Sequence, residues 1–138
     1  MAAFDPNESF DAVIGRFILL YLKDPAGVLL RLKRRVQPGG IVAFQEIDYS
    51  VVAQVPSSEL FERVLKWILG ALEAGAEDPN ISAKLLGTFL RAGLPRPEIV
   101  ASAPPEGGLV SPYYEFITQM VRSMLPGLRP RKRSTSRL

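Results

Sequence analysis

The sequence predicts an α/β fold built around a parallel βαβ unit, with further helices downstream. The apolar stretch at residues 11–15 ends in glycine, a pattern typical of a strand buried in a parallel sheet. A helix signal follows at Asp24-Pro25. A second apolar stretch with β-branched residues occupies 41–47, after the turn Pro38-Gly39-Gly40. Two strands joined by one crossover helix run parallel, and the crossover is right-handed.

The helix between the strands has a clear start signal. Asp24 can act as the N-cap acceptor, and Pro25 suits the first helical position, where an N–H would have no partner. Apolar residues recur every three to four positions at Ala26, Leu29, Leu30, Leu32 and Val36. We therefore expect a helix that begins at Pro25 and continues to the turn Pro38-Gly39-Gly40.

The second strand, predicted over 41–47, begins apolar and becomes polar at its end. This pattern is typical of a central strand whose carboxyl end opens on a ligand crevice. We expect Gln45 and Glu46 to reach that crevice.

Three helices and one strand are predicted downstream. Ser58 lies at a cap signal before a helix that ends near Gly75, and a second helix is expected over 80–92. Residues 98–102 have the composition of a strand. Ser111-Pro112 signals the start of the third helix.

The composition favours one globular domain. The chain has 138 residues, of which 47% are apolar and 22% charged. We predict a domain over 1–126 and a basic tail over 127–138. The absence of cysteine excludes disulfides, a thiolate nucleophile and cysteine zinc sites, and we predict no metal. Residues 1–9 do not resemble a signal peptide and no apolar run could span a membrane, so we predict a cytoplasmic location.

The net charge of +3 comes from the tail. Five of the 17 basic residues lie in the last ten positions, and the 12 that remain are outnumbered by 14 acidic residues. Such a cluster could contact nucleic acid or an anionic surface. The alternative is a solvated terminus, which we favour because no basic helix face or aromatic platform accompanies it. We therefore predict neither nucleic acid nor membrane as a partner.

The individual residues of the first 50 positions are more informative than their apolar pattern. The segment FDAVIGRFILLYLKDP, followed by RLKRRVQPGGIVAFQEID, resembles the fourth and fifth strands of bacterial class I S-adenosylmethionine-dependent methyltransferases. The resemblance extends over about residues 4–125 and is strong at its beginning. It implies a partial Rossmann-like methyltransferase sheet. Residues 54–92 resemble a helical insertion that covers the acceptor site in such enzymes.

Two motifs of that family are absent. Its first strand carries a glycine-rich loop beside the cofactor, and an acidic residue at the end of its second strand holds the ribose; the sequence contains neither. We therefore expect a truncated or split methyltransferase that is inactive on its own. The expected partners are a separate N-terminal half or a second copy, which would pair with the bare edge of the first strand.

The resemblance also implies S-adenosylmethionine as the cofactor, near Gly15, Arg16 and Phe17. The alternative is that Arg16 pairs with a surface carboxylate and that Phe17 belongs to the core. Because the chain has no histidine, a catalytic base must be a carboxylate, a tyrosine or solvent. Glu46 and Asp48 are the candidates, and the alternative is that both are solvated carboxylates at a strand end.

For the small-molecule acceptor, the candidate contacts are Gln45, Tyr49, Phe61 and Trp67. An aromatic stripe at helical spacing is also typical of ordinary packing, so the alternative for Phe61 and Trp67 is a core role. The predicted function is methyl transfer. The alternative is a non-catalytic remnant or binding module.

Overall fold

The computed structural model describes residues 8–75, 77–103, 105, 107–108 and 110–128, with 126–128 described by their backbone alone. Of the basic tail predicted over 127–138, residues 129–138 lie outside the described residues. The strands and α-helices in chain order are β1 (Phe10–Arg16), α1 (Pro25–Lys33), β2 (Val36–Gln45), α2 (Glu59–Ala74), α3 (Leu85–Arg91) and α4 (Pro112–Leu128). Short 3-10 helices are η1 (Leu19–Tyr21), η2 (Tyr49–Val51) and η3 (Ser82–Lys84).

The two strands pair in parallel, which confirms the predicted βαβ unit. Val13 pairs with Val42 and Gly15 with Phe44, and the register is irregular between Phe10 and Ala12. The chain is therefore a mixed α/β protein with a two-stranded parallel sheet among its described residues.

The predicted end of the first helix is wrong. α1 ends at Lys33, and Val36 already belongs to β2. Phe10 pairs with Val36, and its N–H donates to the carbonyl oxygen of Arg35 at 2.7 Å. Strand pairing thus outweighs the helical spacing of Val36, and the Pro38-Gly39-Gly40 segment becomes an irregular start of β2, with Gly39 at φ +82°.

The helix starts agree with the predicted caps. The Asp24 carboxylate accepts a hydrogen bond from Gly27 N at 2.9 Å, and Ser58 Oγ accepts one from Phe61 N at 3.4 Å. Ser111 Oγ likewise accepts from Tyr113 N at 3.2 Å. Local chemistry therefore fixes where α1, α2 and α4 begin.

Two further predictions need correction. The helix expected over 80–92 forms as η3 followed by α3, and the side chain of Asp78 accepts from Asn80 N at 3.1 Å. The strand expected over 98–102 is absent from the described structure, where these residues are exposed coil. The sheet of the described structure consists of β1 and β2, so these residues have no partner strand, and β propensity alone forms none.

The chain divides into two compact units. The sheet unit comprises residues 1–52 and 76–101 and holds the sheet, α1, α3 and the 3-10 helices. The helical unit comprises 53–75 and 102–138 and holds α2 packed against α4. The segment 54–92, which resembles one insertion, is thus divided between the units. The predicted boundary between 126 and 127 stays a prediction.

The core of the sheet unit lies between the sheet and its helices. Leu29 of α1 is fully buried, and the ring of Phe44 meets that of Phe89 edge-on with centroids 6.2 Å apart. Other buried apolar residues of this unit are Leu19, Leu20, Ile81 and Ala92. In the helical unit, α2 buries Ile68 and Leu72.

The sheet is covered on one face only. On the covered face, Val13, Gly15, Val42 and Phe44 are partly buried. The bare face consists of Ala12, Ile14, Arg16, Ile41, Ala43 and Gln45, all exposed. Ile14 and Ile41 are 78% and 60% exposed, although buried parallel sheets normally have both faces covered.

No helix among the described residues is both long enough and apolar enough to cross a membrane.

Candidate functional site

The carboxyl ends of β1 and β2 meet at one edge of the sheet and gather five of the predicted site residues. Arg16 pairs with Gln45, and Phe17 N donates to the carbonyl oxygen of Gln45 at 2.8 Å. Gly15 and Glu46 flank this pair. In parallel α/β sheets, ligands bind at this edge.

Phe17 has an unusual backbone conformation. Its φ of +52° is positive, as for no other non-glycine residue in the described part of the chain. The left-handed region costs an L-residue roughly 1–2 kcal/mol, so contacts of the surrounding structure must hold it. Such conformations cluster at functional sites, and they can turn successive N–H groups toward one point.

The two N–H groups that follow Phe17 converge on a carboxylate. Oε1 of Glu46 accepts hydrogen bonds from Ile18 N at 3.1 Å and from Leu19 N at 2.9 Å. Together with the Phe17–Gln45 bond, these contacts tie the turn after β1 to the end of β2. Glu46 therefore holds the strained turn in place.

The second oxygen of the same carboxylate is differently placed. Oε2 of Glu46 is buried and has no hydrogen-bond partner in the described structure. Since Oε1 already accepts two N–H groups, any donor that reaches the carboxylate has Oε2 as its acceptor. Buried polar groups are normally satisfied, so an unpaired acceptor at a strand end calls for an explanation.

Gly15 is a position of close packing. A Cβ atom there would overlap the ring of Phe44 and would lie 3.0 Å from a methyl group of Ile18. The close approach that glycine permits is therefore made by a side chain of the same unit.

Arg16 and Phe17 contact each other. The Arg16 guanidinium lies 4.8 Å from the centroid of the Phe17 ring, a cation–π distance. The cation nearest in sequence to the tied turn thus lies over an aromatic ring. No described ion pair involves Glu46.

Asp48 and Tyr49 follow β2 directly. One oxygen of Asp48 accepts from Ser50 N at 2.9 Å and from Ser50 Oγ at 2.6 Å, so this carboxylate caps η2. Tyr49 is buried, with 8% of its surface exposed. Asp48 is therefore bound within its own loop, whereas Glu46 binds the turn after β1.

Phe61 and Trp67 belong to the helical unit, whereas the other predicted site residues belong to the sheet unit. Phe61 is partly buried and Trp67 is 51% exposed, with the Arg63 guanidinium 5.7 Å from the Trp67 ring centroid. Their predicted role at the acceptor site stays a prediction.

Sequence reasoning missed the backbone donors of Ile18 and Leu19 and the ring of Phe44. Backbone N–H groups leave no signal in a sequence, whereas the pairing of Gly15 with a large residue on the neighbouring strand could have indicated the packing. No group of three or more histidine, cysteine, aspartate or glutamate residues in the described structure could hold a metal ion.

Comparison with known proteins adds one finding. Residues 2–44 match a family model described as a methyltransferase domain. The matched segment contains β1, α1 and β2 as far as Phe44, and it ends immediately before Gln45 and Glu46. A search of curated proteins and a search of solved structures each found no match.

Proposed function

We propose, from the match of residues 2–44 to a methyltransferase domain model, that the chain takes part in methyl transfer from S-adenosylmethionine to a small-molecule acceptor. The observation that carries the proposal is the tied edge of the sheet. There, three hydrogen bonds fix the turn after β1 against the end of β2. A fixed turn at the carboxyl ends of parallel strands is the usual setting of a ligand site.

The groups at this edge are compatible with the cofactor. S-adenosylmethionine bears a sulfonium, an ammonium and ribose hydroxyls, which call for acceptors and negative charge. Glu46 offers a buried unpaired acceptor. When bound, the cofactor supplies an electrophilic methyl group on sulfur. The space beside Gly15 is not open to the cofactor, because the Phe44 ring fills it.

Methyl transfer depends mainly on holding the reacting groups in line, so rigidity at the site matters more than an acid or base. The contribution of the Phe17 turn would be positional. Where the acceptor must lose a proton, Glu46 and Asp48 are the proposed bases. Each has one oxygen bound within the chain, and the second oxygen of Glu46 is buried without a partner in the described structure. Gln45 and Tyr49 stay as proposed acceptor contacts in the sheet unit, with Phe61 and Trp67 as untested additions.

The sequence lacks the glycine-rich loop that this family uses. We therefore include in the proposal a partner that supplies one, either a separate polypeptide or a second copy. A cytoplasmic location remains a prediction.

Calorimetric titration of the full chain with S-adenosylmethionine tests the proposal. It is performed at low and high protein concentration and with the product of any adjacent reading frame that encodes such a loop. Saturable binding in one of these states is expected, with loss in Glu46→Ala. Glu98→Ala, an exposed carboxylate of the same unit, is the control and should bind like wild type. No binding in any state would contradict the proposal.

A second candidate is a non-catalytic binding module. The bare sheet face favours it, because Ile14 and Ile41 expose an apolar surface beside the site. A cooperatively folded chain that binds no cofactor in any of those states would support this candidate.

A further inference from the structure

We propose that Glu46 is a two-sided binding residue: Oε1 holds the turn after β1, and Oε2 binds an amino or ammonium group of the ligand. The inference rests on the proposed function, since the ligand is the methyl donor or its acceptor. It assigns a chemical class to a contact that the family match does not cover, because the match ends at Phe44.

The orientation of the carboxylate carries the first step. Two backbone donors, Ile18 N and Leu19 N, hold Oε1 at 3.1 and 2.9 Å. With one oxygen held twice, the plane and direction of the carboxylate are restricted, so Oε2 has a defined position. A pre-positioned acceptor binds a donor without first losing side-chain entropy.

The state of Oε2 carries the second step. It is buried without a partner in the described structure, and an acceptor left in that state destabilises the fold unless a donor reaches it. The tied turn does not need Oε2, because Oε1 alone accepts both N–H groups. Since this oxygen is buried, a donor from a ligand pairs with it only where the groups that cover it move aside.

Charge carries the third step and selects among donors. No described ion pair neutralises Glu46, and Arg16 lies over the Phe17 ring. A partly buried carboxylate without a countercharge favours a cationic donor over a neutral hydroxyl. An ammonium supplies both the N–H and the charge. It could belong to the amino-acid part of the cofactor or to an amine acceptor.

Two variants of the full chain separate the roles of the two oxygens. In Glu46→Gln, the amide oxygen can still accept from Ile18 N and Leu19 N, whereas its NH2 group replaces the acceptor Oε2 by a donor. In Glu46→Ala, both functions are lost. We therefore expect Glu46→Gln to melt like wild type and Glu46→Ala to melt at a lower temperature. The amide resonances of Ile18 and Leu19 should be retained in Glu46→Gln.

Three probes distinguish the source of the ammonium. S-adenosylmethionine carries an ammonium, 5′-methylthioadenosine lacks the whole amino-acid part, and phenethylamine represents an amine acceptor. If the cofactor supplies the group, Glu46→Gln should bind S-adenosylmethionine about tenfold weaker or more, and 5′-methylthioadenosine unchanged. If the acceptor supplies it, only phenethylamine binding should weaken. Glu98→Gln is the matched control.

The inference is overturned if Glu46→Gln binds every probe like wild type, which is the behaviour of a purely structural carboxylate. It is also overturned if Glu46→Gln melts like Glu46→Ala, because Oε1 would then not be what holds the turn. Wild type that ignores S-adenosylmethionine but binds phenethylamine through Glu46 would defeat the proposed function and leave this inference standing. Wild type that binds no probe in any of the states used for the calorimetric titration defeats both.

Discussion

The two faces of the sheet are built from the same two strands, yet only one of them is packed. On the covered face, Phe44 fills the space over Gly15 and meets Phe89. On the bare face, Ile14 and Ile41 are 78% and 60% exposed. Both faces are largely apolar, so composition alone does not show which one contributes to stability. Burial does, because apolar surface stabilises the fold only where it is removed from water.

The largest expected effect comes from breaking the covered face. We expect Phe44→Ala to lower the free energy of unfolding by about 2–3 kcal/mol, through lost burial and the cavity left beside Phe89. Ile41→Ala on the same strand is the matched control for the bare face, with an expected change within about 0.5 kcal/mol. Urea denaturation followed by circular dichroism measures both. Equal losses would show that the bare face is packed in solution.

The next effect comes from overfilling the covered face. Gly15→Ala places a methyl group against the Phe44 ring, and we expect a loss of about 1–3 kcal/mol in the free energy of unfolding. Ala12→Val, which enlarges the bare face, should change it by less than about 0.5 kcal/mol. A smaller residue at position 44 should make room for the added methyl group. The double variant Gly15→Ala with Phe44→Leu should therefore lose less free energy of unfolding than the sum of the two single variants. A strictly additive double-mutant cycle would contradict the packing contact.

A smaller effect on stability, but a visible one on association, is expected from the bare face. Ile14→Lys should leave the free energy of unfolding within about 0.5 kcal/mol of wild type, because the side chain is already exposed. It should also reduce self-association, since it breaks an apolar patch beside an open strand edge. Sedimentation velocity over a range of concentrations measures this. Val55→Lys, at an exposed site of the helical unit, is the control. If both lysines act alike, the association does not use the sheet.

The smallest effect concerns the helical unit and sharpens the contrast with the sheet unit. Burial raises the pKa of Tyr113 above its ordinary value of about 10. The folded state therefore favours the neutral phenol, and its contribution to stability is present below about pH 10 and lost as the pH rises through the raised pKa. Tyr113→Phe should weaken the alkaline fall of the free energy of unfolding. Tyr114→Phe, at an exposed neighbour, should leave the fall as it is.

The parts of the fold that the sequence predicts are those with a local cause. Asp24, Ser58 and Ser111 cap helices that begin where the side chains indicate. The end of α1 was not predictable in this way, because pairing of Val36 with Phe10 decides it across the sheet. The strand expected over 98–102 failed for a related reason, since β propensity forms no strand without a partner.

The site was predictable in position and not in detail. The polar end of β2 predicted Glu46 at the carboxyl edge, and parallel pairing with β1 brings Phe17 to it. Glu46 accepts hydrogen bonds from the backbone N–H groups of Ile18 and Leu19. Any residue other than proline would supply such an N–H group. The positive φ of Phe17 carries no side-chain signature either, so only the structure shows that Glu46 has one bound and one unpaired oxygen.

The irregular start of β2 has a consequence for length variation in this chain. Phe10 pairs with Val36, and the next pair is Ala12 with Ile41. The extra residues of β2 between these two pairs therefore lie in its irregular start, before regular pairing begins at Ile41. Gly39 has no atom within 4 Å of its Cβ position and lies at φ +82°, whereas a Cβ at Gly40 would lie 2.7 Å from the carbonyl oxygen of Asp11. An insertion after Ile41 would exchange the covered and bare sets of side chains. We therefore expect a one-residue change of length to be less damaging on the N-terminal side of Gly39 than after Ile41.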